Sequence, residues 1–400
     1  MTEGRVTDQG MGHRVLRVEV VGSARMPALK EAWEDLLARV PTASAFQSYA
    51  WTASFVAAEN RKTQSRIITA WEGPRLVAVL PLMVRRVLGV KVARPIGDSM
   101  PSYLGILVDP GCPEAVRRVA DFIVKNCVFD VFLSNNCSSE DKDTGQFIHN
   151  LRTAGWATAA TRRNVCRFVQ LGCSFDEYLK QRHSSKRRHE LRRTERRILG
   201  DHGGSILSFS GAQVTAEVVR RMAEIQHASW MERRGAAVLD RPFYQRLIGE
   251  MAAAGLVRAW ILRVGDEDVA FLCCLTSPVQ WFPTWTAFKL EYEKISPGVL
   301  VFMHTIRCAC EEGIDRYDFG HGDAEYKHFW GTGSHDVSRC VLGRGFAGRL
   351  AVITVRMVWR FHQVDWLRTA YRRLRGFFRS GRKLVPRCEK GPCAEERMHG

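Results

Sequence analysis

Apolar and polar positions recur with two different periods along this 400-residue chain, and the changes of period divide it into strands and helices. Runs in which every second side chain is apolar indicate strands, whereas apolar residues three or four positions apart indicate helices. The first part of the chain is thereby predicted to form a strand at 15–21, helices at 27–39 and 45–59, strands at 66–71, 75–84, 87–92 and 104–108, a helix at 113–126 and a strand at 128–134.

A second series of elements follows. Its members are a strand at 167–171, a basic helix at 175–199, a strand at 205–209, helices at 214–233 and 241–254, strands at 256–264, 267–275 and 280–287, a helix at 299–312 and a final strand at 316–319. The two series have a similar order, which suggests a duplication, although no self-similarity of sequence proves it. We predict a mixed α+β fold with an N-terminal domain at 14–165, a C-terminal domain at 166–345 and a basic helical tail at 346–400.

Positive charge is concentrated in two segments. The formal net charge is +17, and residues 347–400 contain 13 Lys and Arg against four Asp and Glu. The other segment, residues 180–197, places Arg188, Arg192 and Arg196 at i, i+4 and i+8, which forms one basic stripe on a helix. Such a stripe is usual on a solvated helix. The alternative is a surface for an anionic partner: coenzyme phosphates, a nucleotide-linked acceptor or RNA.

The tail alternates arginines with aromatic residues. This mixture fits a helix that packs on a domain, and it also fits an interfacial helix on anionic lipid. The longest apolar run is far shorter than the ~20 residues that span a bilayer. The first residues lack the apolar segment of a signal peptide. We therefore expect a cytoplasmic protein. The composition of the tail adds an alternative, peripheral attachment at the inner face of the membrane.

The twelve cysteines are interpreted as reduced thiols. Several lie inside apolar runs, such as Cys273, Cys274, Cys308 and Cys310, where a free thiol behaves as a small hydrophobic group. Residues 388 and 393 are both cysteines, but no second pair at zinc-finger spacing accompanies them. We expect no metal.

The richest segment for chemistry is 296–330. Ser296, Pro297 and Gly298 open a helix directly after a strand region, with Val299 in its first turn. The N-terminus of a helix presents free N–H groups and the positive end of its dipole, which suits a pyrophosphate. Ser296, Gly298 and Val299 are therefore candidate cofactor-binding residues, although the same residues also make an ordinary helix start.

The strand that follows runs into a loop rich in glycine and ionisable residues, at a strand end where α/β folds place ligands. Acyl transfer needs a base for the acceptor, donors for the oxyanion and an acid for the leaving thiolate. Asp323 or His321 is a candidate base, Tyr326 a candidate acid, and Lys327 a candidate ligand of a phosphate or of developing negative charge. Asp318 is a further candidate, with a structural pairing to a neighbouring arginine as its alternative.

The chain resembles, over about residues 29–343, the GNAT-like acetyltransferases assigned to cellulose biosynthesis (CelD type), which are similar to FemAB-type tandem-GNAT transferases. The landmarks are Phe46-Gln47…Trp51, Pro81-Leu82, Tyr103-Leu104-Gly105, the arginines of 187–197, Ser296-Pro297-Gly298 and Asp318-Phe319-Gly320…Tyr326-Lys327. The resemblance implies a tandem GNAT-like acyl-CoA N-acyltransferase fold and acyl-CoA (acetyl-CoA) as co-substrate. It also implies a substrate cleft with Gln47, Trp51, Tyr103 and Trp285. At Ala287-Phe288-Lys289 the acidic residue expected beside the aromatic is missing.

The expected function is acyl transfer from acyl-CoA to an amine or hydroxyl, in small molecules or in glycan precursors of envelope or exopolysaccharide synthesis. Three alternatives remain: a FemAB-like transferase that uses aminoacyl-tRNA, a nucleic-acid-binding module, and a non-catalytic scaffold for polysaccharide assembly. Against the nucleic-acid module, no helix-turn-helix, zinc-finger or RNA-recognition motif is present. The chain also lacks the Gly-x-Ser-x-Gly elbow of serine hydrolases.

Overall fold

The computed structural model describes residues 16–58 and 63–361. The first series of elements begins with β1 and two helices, continues with an antiparallel meander, and ends with alternating helices and strands. These elements are β1 (Leu16–Gly22), α1 (Lys30–Arg39), α2 (Tyr49–Val56), β2 (Gln64–Glu72), β3 (Arg75–Val87), β4 (Val90–Pro95), β5 (Leu107–Val108), α3 (Ala115–Asn126), β6 (Val131–Ser138), α4 (Lys142–Thr153) and β7 (Ala157–Gln170).

The second series follows two helices that carry the basic segment. It comprises α5 (Phe175–Arg182), α6 (Ser185–Arg196), β8 (Gly204–Ser210), α7 (Ala216–His227), α8 (Trp230–Arg233), α9 (Pro242–Ala253), β9 (Val257–Val264), β10 (Glu267–Thr276), β11 (Gln280–Phe288), α10 (Pro297–Glu311), β12 (Arg316–His321), α11 (Glu325–Trp330) and β13 (Gly333–Gly343). A last helix, α12 (Gly345–Phe361), closes the described part.

The two series repeat one arrangement. Each has a strand, helices, three antiparallel strands, a helix, a strand, a helix and a final strand, apart from the short β5. In the first series β4 and β6 pair in parallel over two residues only, Val92 with Val131 and Ala93 with Phe132. In the second series β11 and β12 do the same, Gln280 with Arg316 and Trp281 with Tyr317. The repeat supports the duplication that the sequence pattern suggests.

The two halves share one sheet because their final strands are exchanged. The strand order is β1-β2-β3-β4-β6-β13-β7-β12-β11-β10-β9-β8, with β5 beside β3. The last strand of the second half, β13, therefore lies between β6 and β7 of the first, and β7 pairs with β12 of the second. The domain boundary predicted at 165/166 falls inside β7.

Helices cover both faces of the sheet. On one face α1, α2, α7 and α9 pack in a single core, which includes Trp33, Trp51, Met222 and Met251. The other face carries two cores, one under α3 and α4 and one under α5, α6 and α10. Alternation along β2 explains the separation, since Ile67 enters the first core and its neighbour Ile68 the second.

Several element predictions differ from the structure. The basic helix predicted at 175–199 is two helices, because His183 is extended and the Ser184 side chain caps α6 by accepting from the Arg187 backbone N–H. The strand predicted from Val87 begins at Val90, after a turn in which Leu88 has a φ of 50°. The pattern also missed α4, α11 and β13, so β12 is not the final strand.

The helical tail predicted at 346–400 is described only as far as α12; the rest of that prediction, including the cysteines at 388 and 393, lies outside the described residues. Within the described part, no helix is long and apolar enough to cross a membrane. The ten cysteines of that part are free thiols. None of its His, Cys, Asp and Glu residues form a group of three that could hold a metal ion.

Candidate active site

The candidate active site surrounds an opening between β11 and β12. The two strands pair at Gln280–Arg316 and Trp281–Tyr317 only. Beyond Tyr317, β12 pairs with β7 on its other side, and β11 stays paired with β10 across a bulge at Cys273. The edge of β11 that faces the opening therefore keeps backbone N–H and C=O groups that an extended ligand can pair with.

Aromatic side chains from both halves line this opening. Phe282 of β11 lies 5.2 Å from the ring of Phe46 and 5.7 Å from that of Tyr103. The rings of Phe46 and Tyr103 are themselves 6.0 Å apart and meet edge to face. Tyr103 was identified through the family resemblance, and the structure places it at the junction of the halves.

Asp318 is the buried centre of the polar part of the site. Its carboxylate accepts hydrogen bonds from the Tyr103 hydroxyl at 2.7 Å and the Gly320 backbone N–H at 2.8 Å. His335 Nε2 lies 3.2 Å away and Arg316 completes an ion pair at 3.3 Å. Burial acts to raise the pKa of Asp318, but the His335 hydrogen bond and the Arg316 charge outweigh it and lower the pKa below its ordinary value.

His335 extends this cluster toward the first half. Its Nδ1 lies 3.1 Å from the Ser138 hydroxyl, and its Nε2 is the atom that faces Asp318. The ring is almost fully buried and stands 5.2 Å from Tyr103. A continuous chain of hydrogen bonds thus runs from Ser138 through His335 and Asp318 to Tyr103. It fixes the orientation of each group before any ligand arrives.

His321 ends β12 beside this cluster, 5.8 Å from the Tyr103 ring. Burial and the charges of Arg163 and Lys327 lower the pKa of its imidazole to about 3, so the ring is neutral at pH 7. Nδ1 lies 3.4 Å from the Asn164 side-chain nitrogen, and Nε2 is buried without a hydrogen-bond partner among the described residues. If Asn164 donates to Nδ1, the imidazole proton is on Nε2, where it is available to an oxygen of a ligand.

Lys327 has a different position from the one expected of a phosphate ligand. It is buried, and its Nζ donates to the backbone carbonyl oxygens of Phe319, Gly320 and His321 at 2.8, 3.2 and 2.5 Å. An ammonium has three N–H groups, and these carbonyls use all three. The interpretation as a cofactor ligand is therefore corrected: Lys327 holds the loop after β12 in place.

Asp323 and Tyr326 lie farther out. Asp323 is half exposed and pairs with Arg167 at 2.8 Å and with His328 at 2.7 Å; the Arg167 hydrogen bond lowers its pKa. The Tyr326 ring packs on Phe302 of α10 at 5.1 Å. The Tyr326 residue is 40% exposed, but the protein around its hydroxyl limits hydration and raises the pKa of that group to about 12, so it stays protonated. Asp323 is thus a carboxylate held by its ion pair with Arg167, and Tyr326 connects the loop to α10.

The start of α10 keeps its first-turn N–H groups clear of a side-chain cap. Ser296 has a φ of 60° and its hydroxyl makes no capping hydrogen bond. Pro297, at the first helical position, is pre-set for the helix. Gly298 and Val299 are partly exposed. Anion binding at this helix start stays a prediction; its first-turn N–H groups lie on the same helix as Phe302.

The basic helix α6 packs beside α10. Arg307 of α10 pairs with Glu195 of α6 at 2.7 Å, and Arg197 donates to the carbonyl of Lys294, just before α10, at 3.2 Å. Arg193 and Arg196 are exposed and make no ion pair with any described residue. Their positive charge lies at the end of α6 that is close to the start of α10.

Gln47, Trp51 and Trp285, which the family resemblance also implied, lie behind the aromatic side chains that line the opening. Trp51 is fully buried, with its ring 5.0 Å from Phe46, so it cannot touch a substrate in this conformation. The side-chain oxygen of Gln47 accepts from the Ser44 backbone N–H at 3.1 Å. Trp285, on β11, is buried in the same core. The expectation of direct substrate contact is therefore corrected for Trp51, and the three residues position Phe46 and β11.

Sequence reasoning missed His335, Ser138, Arg163 and Asn164. His335 lies on β13, whose alternation of buried and exposed residues was the available signal. The others lie at the ends of β6 and in β7, where the site depends on pairing between distant segments.

Comparison with known proteins is consistent with this geometry. Residues 185–328, from α6 to α11, match the family model described as an acetyltransferase (GNAT) domain. Among solved structures, FemX is 13% identical with a TM-score of 0.59, and the similarity covers 78% of this chain and 95% of FemX. The C-terminal domain of a putative lysylphosphatidylglycerol synthetase from Agrobacterium fabrum is also 13% identical, with a TM-score of 0.52 and coverage of 83% and 97%.

No curated protein sequence matches the chain significantly. The structural similarities show the fold, and residues 185–328 are similar to the acetyltransferase (GNAT) domain that the family model describes.

Proposed function

We propose that the chain transfers an acyl group from a coenzyme A thioester, with acetyl-CoA as the simplest donor, to an amine or hydroxyl of an acceptor. The observation that carries this proposal is the opening between β11 and β12, which pair at two positions only. An extended amide-bearing chain such as the arm of coenzyme A can pair with the free edge of β11 there. The uncapped start of α10 and the nearby Arg193 and Arg196 of α6 supply a cationic surface for its phosphates.

The reaction is a direct displacement. The acceptor nitrogen or oxygen forms a bond to the thioester carbonyl carbon, the carbon–sulfur bond breaks, and the coenzyme leaves as a thiolate that takes up the proton lost by the acceptor. The neutral His321 donates its Nε2–H to the carbonyl oxygen as negative charge develops there. Because the pKa of Tyr326 is about 12, its hydroxyl donates a hydrogen bond to the thiolate and keeps its proton. Asp318 and His335 position Tyr103 and the end of β12.

The test combines calorimetry with a thiol-release assay. We expect micromolar binding of acetyl-CoA that survives added salt, and release of coenzyme A when a panel of amines, sugars and glycan precursors is supplied. Replacement of Gly298 by Trp should abolish binding because the side chain fills the space before α10. Gly145→Trp is the control, since Gly145 in α4 has open space around it. Equal acetyl-CoA binding by both variants would show that the coenzyme does not bind in the opening.

An aminoacyl group carried by tRNA is the second candidate donor. The structural similarity to FemX and the exposed arginines of α6 support it, because a polyanion uses such a surface. A filter-binding assay with charged tRNA distinguishes the donors. Binding that falls steeply with salt, is lost in Arg193→Gln/Arg196→Gln and transfers the aminoacyl group would favour tRNA. Failure of both donors, together with unaltered cellular function of a His321→Ala variant, would leave the scaffold role in polysaccharide assembly.

We also propose that α12 lies at an anionic membrane surface. Its outer face exposes five apolar side chains, at Phe346, Leu350, Ile353, Met357 and Val358. Its charged residues are all arginines, at 349, 356 and 360. An interfacial helix has this composition, because its apolar side chains enter the interface and its cations meet anionic headgroups.

The test of this proposal is co-sedimentation with lipid vesicles. We expect α12 to bind phosphatidylglycerol vesicles but not phosphatidylcholine vesicles, and Ile353→Glu/Met357→Glu should abolish the binding. Dimerisation of the wild type through this face, without vesicle binding, would refute the proposal.

A further inference from the structure

The turn between β3 and β4 exposes an apolar side chain completely. Val87 pairs with Val90, so the connection is a two-residue hairpin loop of Leu88 and Gly89. Leu88 is 100% exposed and Val87 is 40% exposed. A leucine that stays in water gains none of the free energy that burial provides. The apolar character of this turn, here called the hairpin tip (residues 85–91), therefore does not come from packing among the described residues.

The backbone conformation makes leucine an unfavourable residue at this position. The φ of Leu88 is 50° and that of Gly89 is 84°. Two-residue hairpin loops in which both residues have positive φ favour Asn-Gly or Asp-Gly, because these residues tolerate the left-handed region better than other side chains do. The chain thus holds a leucine in a strained conformation where its side chain is fully in water. Backbone strain of this kind clusters at functional sites.

Two other hairpins of this chain show what an ordinary two-residue loop looks like here. Gly73 and Pro74 connect β2 to β3, and Gly265 and Asp266 connect β9 to β10. In both, a glycine takes the positive φ, and neither loop contains a large apolar side chain. Leu88 therefore departs from the pattern that the chain itself uses where a turn only has to reverse direction.

Cations flank the apolar side chains of the hairpin tip. Arg85 and Arg86 are exposed, and neither makes an ion pair with any described residue. Arg86 lies directly opposite Lys91 in the register of the two strands, where like charges repel each other. The Lys91 ammonium donates to the Cys127 carbonyl at 2.8 Å, a neutral partner that leaves its charge in place. Since the sequence has no acidic residue from 73 to 97, the tip is suited to an anionic partner.

The hairpin tip lies beside α12. Cross-strand partners share a face of the sheet, so Val87 is on the same side as Val90, which packs in the small core under α12. Asp130 joins the two elements. Its carboxylate accepts from the Lys91 backbone N–H at 2.9 Å, and its carbonyl oxygen accepts from the backbone N–H of Arg344, the residue before α12, at 3.0 Å. The exposed apolar side chains of the tip and of α12 therefore belong to neighbouring parts of the surface.

We propose that the hairpin tip enters an anionic lipid surface together with α12. This inference rests on the membrane location proposed above for α12 and adds a second point of attachment. Leu88 and Val87 enter the interface, and Arg85 and Arg86 meet the anionic headgroups. Once α12 is bound, the tip binds as an intramolecular event, so two weak contacts reinforce each other. Two separate contacts also fix how the sheet is oriented relative to the membrane.

The experiment measures the affinity of the full chain for phosphatidylglycerol vesicles by co-sedimentation over a range of lipid concentrations. Leu88→Asn removes the apolar side chain and should lower the affinity about tenfold, the order expected when burial of one leucine side chain is lost. Arg85→Gln/Arg86→Gln should lower it by roughly tenfold or more, because two cations leave the anionic surface. Pro74→Leu is the matched control: it adds a leucine at the exposed β2–β3 turn, at the other end of β3, without a change of charge, and should leave the affinity unaltered.

Thermal melting without lipid separates lipid contact from a structural role. Leu88→Asn should melt at or above the wild-type temperature, because asparagine tolerates the positive φ of this position. A clearly lower melting temperature, or wild-type vesicle affinity, would overturn the proposal for the tip.

The α12 variant Ile353→Glu/Met357→Glu distinguishes this proposal from the one for α12. If only that variant loses vesicle binding, the tip proposal fails and α12 remains the anchor. If only Leu88→Asn binds more weakly, the tip contacts lipid and the α12 proposal fails. Absence of vesicle binding in the wild type, including a case in which the chain dimerises through the tip instead, would overturn the lipid surface as partner of both.

Discussion

The hydrogen bond between Tyr103 and Asp318 joins the two halves of the chain, and Tyr103→Phe removes it without loss of volume. The hydroxyl and the carboxylate oxygen are 2.7 Å apart; Asp318 is buried and Tyr103 is partly buried. The ring contacts with Phe46 and Phe282 survive the change. The experiment therefore isolates one oxygen atom.

The expected effect can be estimated from the partners that remain. A hydrogen bond to a charged group contributes about 1.5–3 kcal/mol to stability. Asp318 keeps its contacts with His335, Arg316 and the Gly320 backbone N–H, so its charge is not left bare. We therefore expect Tyr103→Phe to lower the free energy of unfolding by about 2 kcal/mol.

The assay is equilibrium unfolding in urea, followed by circular dichroism and by tryptophan fluorescence, whose transitions must coincide for a two-state treatment. A double-mutant cycle with Asp318→Asn isolates the coupling between the two side chains. Tyr49→Phe is the control, because Tyr49 has a ring contact with Trp33 but no side-chain hydrogen bond to any of the described residues. A loss below about 0.5 kcal/mol in Tyr103→Phe, equal to that of the control, would refute the reasoning.

Three further changes test other parts of the site. The pKa of His321 is about 3 in the folded state against an ordinary 6.5, so between these values the unfolded chain binds more protons and the free energy of unfolding falls as the pH falls. Urea unfolding at pH 5 and pH 7.5 should therefore show that His321→Gln loses about 2 kcal/mol less stability than the wild type over this change of pH. Equal losses in the two proteins would contradict this prediction. Lys327→Met leaves three carbonyl groups without their donor and should destabilise by at least about 2 kcal/mol and expose the loop to proteolysis, unlike substitution of a solvated lysine. Gly97→Ala places a Cβ 2.4 Å from Trp51 Nε1, at a position whose φ is 91°. The melting temperature of this variant should lie well below that of Gly73→Ala, because Gly73 also has a positive φ but open space around it. Equal melting temperatures would argue against the close contact with Trp51.

The sequence pattern located the loop after β12 because its signal is local. Glycines and ionisable side chains directly after a buried strand mark a ligand-facing strand end, and the structure brings Asp318, His321 and Tyr103 together there. The roles within the loop were harder to assign. Lys327 looked available for a ligand because the sequence does not reveal the three carbonyl groups that fold back onto its ammonium.

Features that depend on distant pairing were not predictable in the same way. His335 reaches Asp318 because β13 inserts between β6 and β7, and nothing near His335 in sequence encodes that neighbour. The break between α5 and α6 was hidden for another reason. Arginine-rich sequence favours helix throughout the segment, and a single capping serine, Ser184, was sufficient to divide it.

The exchange of final strands has a consequence for how the chain is made. Cys137 of β6 meets Cys340 of β13 at 3.1 Å across a separation of 203 residues. During synthesis, β6 and β7 must therefore wait with unpaired edges until the second half of the chain has emerged, and such edges are sites of aggregation. Neither half can complete its own sheet alone. A ribosome that stalls midway releases a fragment in which one edge of β6 and both edges of β7 lack their native partners, so the complete sheet forms only when the whole second half has been translated.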